Sequence, residues 1–216
     1  MSASTVAALT LALLAGSALS AQAPVPETDR AAQQRIDAVV RDFDRRGLPT
    51  ELLRAKIAEG TAKGASQPRI ADAVALLAVR VDSVARLLAP AVTVPELHAG
   101  AEALAIGVSA PSLRTIRRAA GRHSVEPGIL LVIRLVRRGV TQEQAVRAAR
   151  ALLDRQVAPS ALLALGDDFA RDVSAGIAPA DALNDRLTRL VGGGPSGAAA
   201  SGSDRGPGVA NTGAKP

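Results

Sequence analysis

The segments ALAIGVSAPSL, residues 103–113, and LVRRGVTQEQA, residues 135–145, carry the same turn 32 residues apart. In each, a run with helical periodicity stops at a glycine, Gly107 or Gly139, followed by Val108-Ser109 or Val140-Thr141. A glycine one position past a helix takes the left-handed conformation that closes it without a Cβ clash. The valine after it touches the helix just ended and, as the first half of a hydrophobic staple, the fourth residue of the next. Ser109 and Thr141 then read as N-caps, with Leu113 and Ala145 at N4, and Thr141 to Gln144 reads as a capping box. Three residues thus stop one helix, start another and fold the two into a hairpin.

Outward from these two copies the pattern recurs. Gly64-Ala65-Ser66 repeats it, with Ser66 as N-cap and Ile70 at N4, and Gly47-Leu48-Pro49 and Gly176-Ile177-Ala178 are looser versions. Pro49, Pro95, Pro127 and Pro159 mark the first turn of the helix before each turn, where a missing N–H costs nothing. The last three prolines are 32 residues apart and the first pair 46, so the repeat is degenerate, with extra length in its first unit. The spacing predicts helices near 28–46, 49–63, 67–88, 94–106, 110–120, 125–138, 142–155, 159–175 and 179–191. No stretch alternates convincingly with period two, so no strand is expected. The fold class is therefore all-α, about nine short helices in tandem hairpins, arranged as a bundle or a short solenoid. Ile36, Val39, Val40 and Phe43 form the core stripe of the first helix, and Ile129 to Val136, ILLVIRLV, is apolar nearly all round, which predicts a central buried helix.

The two ends read differently. Val6 to Ala15, VAALTLALLA, precedes the first charged side chain, Glu27, and is followed by small residues. Ala18 and Ser20 fit the small-x-small cleavage pattern, so residues 1–20 read as a signal peptide leaving Ala21 as the mature N-terminus. Ala21-Gln22-Ala23 fits the same pattern but puts Pro24 after the cut, and the N-terminal region lacks Lys and Arg. The alternative is an uncleaved membrane anchor, which needs about 20 apolar residues. Residues 21–27 are a linker, 28–191 the helical-hairpin domain, and 192–216 a disordered tail rich in Gly, Ser and Pro. The G-x-G-x-x-G match at Gly192 to Gly197 lacks the preceding strand and following helix that a dinucleotide site needs.

Composition removes chemistry. The 216 residues contain no Cys, Trp or Tyr, two Phe and two His. Disulfides, thiolate metal sites, thiol nucleophiles and acyl-anchoring cysteines are excluded, as is a three-His zinc centre. No aromatic platform exists for stacking sugars or bases. His98 and Glu102 are spaced to share a metal but read as surface residues, and His123 lies 25 residues away in a turn. Asp167, Asp168 and Asp172, with Asp154 upstream and Arg171 beside them, read as a solvated acidic face. With no nucleophile elbow, H-E-x-x-H or P-loop, no catalytic, cofactor or metal residue is assigned.

Charge is uneven. The chain has 26 basic and 20 acidic residues, and residues 114–138 alone carry a net +6, against −2 over 151–191. Arg114, Arg117, Arg118, Arg122, Arg134, Arg137 and Arg138 form a candidate anion-binding patch. Arg114, Arg118 and Arg122 share one helix side, and Arg134, Arg137 and Arg138 join them if the two helices pack as neighbours.

Gly47-Leu48-Pro49 through Leu52, Lys56, Glu59-Gly60 and Lys63-Gly64 resembles segments of uncharacterised exported all-helical proteins of GC-rich bacteria, a resemblance that implies no activity. Val140-Thr141-Gln142-Glu143-Gln144 resembles the L-T-x-x-Q motif of periplasmic chaperones of the Spy and CpxP type, which carry it twice and begin it with Leu. The expectation is a periplasmic or secreted, non-catalytic helical protein that binds a protein or an anionic envelope polymer or lipid. Nucleic acid is a poor fit for an exported chain, and no transmembrane helix is expected in the mature one. A holdase-like chaperone and an enzyme with an unrecognised site are the alternatives.

Overall fold

The computed structural model describes residues 27–192 except Ala91. The segment read as signal peptide, all of the linker but Glu27 and all of the tail but Gly192 lie outside the described residues. Nine helices and no strand occur among those described: α1 (Glu27–Arg45), α2 (Thr50–Ala62), α3 (Gln67–Leu88), α4 (Val94–Ala105), α5 (Ala110–Ala120), α6 (Glu126–Arg137), α7 (Gln142–Asp154), α8 (Pro159–Ser174) and α9 (Pro179–Gly192). All nine expected helices are present, with ends within one residue of those read from periodicity. Glu27 and Gly192, assigned to the linker and the tail, are helical.

The turns at residues 47, 64, 107, 139, 156 and 176 are Schellman motifs. At Gly107 (φ 92°) the glycine N–H donates to Leu104 O at 3.2 Å and the Val108 N–H to Ala103 O at 2.9 Å. Gly139 (φ 92°) repeats this with Val136 O and with Leu135 O, both at 3.1 Å. Val108 and Val140 are buried, as a staple requires. The starting signals are less uniform. Ser109 and Thr141 accept capping bonds from Ser112 N and Gln144 N, whereas Ser66 stands at the N-cap without one. The box expected at Thr141–Gln144 is half formed, because Gln144 Oε1 meets the Thr141 hydroxyl instead of its backbone N–H. The complete box belongs to Thr93 and Glu96 at the start of α4.

Most helices two apart in the chain lie side by side, α2–α4 and α7–α9 being the exceptions. α1 packs on α3, α3 on α5 and α5 on α7 in one layer; α4 packs on α6 and α6 on α8 in the other. Hairpin partners join the layers, as in α2–α3, α6–α7 and α8–α9. Packing between near neighbours in a two-layer stack is the order of a short solenoid. α6 is its centre, with Ile129, Leu131, Val132, Ile133 and Leu135 buried between α4, α7 and α8. Ile36 and Phe43 are buried on α1, with Val39 and Val40 half-buried beside them. Glycines bring helices close where no larger residue fits: a Cβ on Gly100 would lie 2.5 Å from Val84 Cγ1, and one on Gly128 2.8 Å from Leu153 Cδ1.

Candidate functional site

The seven arginines divide by what they touch. On α6, Arg134 pairs with Asp167 and donates to Leu163 O at 3.1 Å, both on α8. Arg138 bonds Ser174 Oγ at 2.9 Å and Ala170 O at 3.3 Å, also on α8. Arg137 reaches the other way, to Glu102 of α4 at 2.7 Å. Arg117 of α5 donates to the Leu88 carbonyl at the end of α3 (3.1 Å) and to Gly121 O (3.0 Å). These four are cross-braces between helices.

Arg114, Arg118 and Arg122 differ. All three are exposed, and none makes an ion pair or side-chain hydrogen bond among the described residues. α5 buries Leu113, Ile116 and Ala120, which leaves positions 114 and 118 on its outer side, and Arg122 follows in the next turn. A shallow depression of about 260 Å³ between α5 and α7 sets Arg118 beside Arg150 and Asp154, which pair with each other at 3.3 Å. Arg114 and Arg118 thus share the outer side of α5, Arg122 is exposed in the turn after it, and the other four are engaged elsewhere.

The other candidates resolve into structure. No group of three or more His, Asp and Glu able to hold a metal ion occurs among the described residues. His98 is exposed, and Glu102 is taken by Arg137. Of the aspartates expected on a solvated face, Asp154 and Asp167 are exposed, whereas Asp168 and Asp172 are half-buried against α9. Arg186 of α9 binds Asp172 through two nitrogens, at 2.6 and 2.8 Å, and Asp168 at 2.9 Å. The Arg186 hydrogen bonds hold the Asp172 carboxyl below its usual range, and Asp172 raises the Arg186 pKa in return. On α2, hydrogen bonds from Lys63 and Lys56 lower the Glu59 pKa to about 2.

Sequence reasoning missed Glu96, the one buried charged residue of the described chain, 5% exposed. Its carboxylate accepts from the Thr93 N–H (2.9 Å), the Val125 N–H (2.9 Å) and the Ser124 hydroxyl (3.1 Å), tying the start of α4 to the start of α6. Burial pushes its pKa up, but the bonds from Thr93, Val125 and Ser124 outweigh it and hold the pKa low. The T-x-x-E spacing at Thr93 was the available signal.

No family model, curated protein or solved structure matches this chain. Its candidate site therefore stands on its own residues.

Proposed function

We propose that this chain is an exported, non-catalytic helical-repeat protein that binds an anionic envelope partner through the outer face of α5. The observation that carries this reading is that Arg114, Arg118 and Arg122 have no protein counter-ion among the described residues. An exposed arginine cluster that does no bracing work concentrates positive potential on one side and attracts polyanions or anionic lipid. No helix among the described residues is long and apolar enough to cross a membrane, so surface binding is the form of lipid contact considered.

The compartment rests on the sequence. Val6–Ala15 and the small residues up to Ser20 have signal-peptide form, and the expected mature chain begins at Ala21. N-terminal analysis of exported protein should find Ala21. A chain retaining Met1 in a membrane fraction would contradict export.

Titration of heparin, and separately of anionic vesicles, against the wild type and the triple variant Arg114→Gln, Arg118→Gln, Arg122→Gln tests the binding reading. Affinity should fall steeply with salt in the wild type, because a bound polyanion releases counterions, and should be lower with a shallower salt slope in the variant. Superimposable curves for the two proteins would end the proposal.

A further inference from the structure

The layer containing α4, α6 and α8 is open at its first step. α4 packs directly on α6 and α6 on α8, but α2 and α4 are not close neighbours and both flank α3. Between them runs a groove of about 430 Å³, within the size range of small-molecule sites, about 300–1,000 Å³. Its floor is aliphatic, with Leu52 and Leu77 half-buried and Leu76 50% exposed. The floor has room because α3 runs for 22 residues against 11 for α5 and 13 for α7, the extra length already visible in the first repeat.

The charges around the groove are unequal in what they have left to offer. Glu59 is held by Lys56 and Lys63, and Glu102 by Arg137. Arg80 is half-buried in the groove and has no ion pair or hydrogen bond among the described residues, and His98 beside it has none either. The cation of the groove with no partner among the described residues is therefore one guanidinium over an aliphatic floor, with an imidazole as a second donor. No aromatic ring lines the groove, since Phe43 and Phe169 are both in the core, so sugars and bases have nothing to stack on. Such a site reads two features, a flexible hydrocarbon chain and a single anionic head.

We propose that the α2–α3–α4 groove binds a single-chain aliphatic carboxylate, its tail along Leu52, Leu76 and Leu77 and its head on Arg80. A fork of guanidinium donors matches a carboxylate's two oxygens, and each methylene removed from water contributes about 0.8 kcal/mol. This site is separate from the α5 arginines, so heparin does not compete for it and either proposal can fail alone.

Calorimetric titration of the full chain with sodium dodecanoate, dodecyl maltoside and dodecyltrimethylammonium, each below its micelle threshold, tests it. Dodecanoate should fill one saturable site, and the neutral and cationic amphiphiles should bind at least about tenfold more weakly. Arg80→Gln and Leu76→Ser, both outside the packed core, should keep the wild-type melting temperature and each weaken dodecanoate about tenfold. No saturable heat, equal binding of the neutral amphiphile, or unchanged affinity in both variants would overturn the proposal. Sedimentation showing a dimer that dodecanoate does not dissociate would give the groove to a second copy of the chain and would overturn it too.

Discussion

Gln156 occupies the left-handed position, φ 56°, at a turn whose other copies use glycine. Its N–H donates to Leu153 O at 2.8 Å and the Val157 N–H to Leu152 O at 3.1 Å, the same Schellman bonds as at Gly107 and Gly139. The substitution Gln156→Gly should therefore stabilise the fold by about 0.5–1 kcal/mol, the relieved strain less the extra freedom of the unfolded glycine. Gly107→Ala and Gly139→Ala should destabilise by about 1–2 kcal/mol. Space is not the reason, since a Cβ meets nothing within 4 Å at Gly107 and only Pro179 at 3.7 Å at Gly139. Urea melts of the three variants check both signs. Glu96 should show a pH signature. Its folded pKa lies below the unfolded value near 4.3, so its stabilisation is complete above that pH and is lost as pH falls through the folded pKa. Glu96→Gln, which cannot serve both the Thr93 and Val125 amides as well, should cost about 1–3 kcal/mol at pH 7, and the cost should shrink as pH falls below the unfolded carboxylate value. Parallel melts above and below that value measure this.

Helix positions were legible because turn chemistry and periodicity agree at every boundary, from Pro95 and Gly107 to Pro127 and Gly139. The seventh turn, between α7 and α8, was placed by Pro159, but its left-handed residue was not legible, because Gln156 stands where the other copies carry glycine. The partners of side chains on different helices were also hidden. Gln142 has no assigned role in sequence, but its amide spans to the preceding repeat, where Ser109 N–H donates to Oε1 at 2.9 Å and Nε2 reaches Ser112 Oγ at 3.1 Å. Gln142→Ala should loosen the α5–α7 contact by about 1 kcal/mol, visible as faster amide exchange at the start of both helices. Arg186→Gln should act on α9 alone. With Asp172 held below its usual pKa by Arg186, that lock is present above pH 4 and weakens as pH falls through the folded pKa. Hydrogen exchange should show α9 opening before α8 in the variant at pH 7, and in the wild type only in acid.

At the scale of the molecule, a stack in which helices pack mainly on near neighbours explains why a cluster read from one chain segment splits in space. The +6 segment 114–138 spans α5 in one layer and α6 in the other, so its arginines serve different neighbours. Proximity in sequence predicted a joint patch only if α5 and α6 shared a surface, and the α6 arginines are instead spent on α4 and α8. What remains without a protein partner among the described residues is Arg114 and Arg118 on the outer side of α5 and Arg122 in the turn after it. The most direct measurement is an NMR titration of a heparin hexasaccharide, following the Nε–Hε signals of assigned arginines. Saturable shifts are expected at Arg114, Arg118 and Arg122, with Arg117, Arg134, Arg137 and Arg138 unmoved. Shifts spread evenly over all seven, or confined to the α6 arginines, would contradict it.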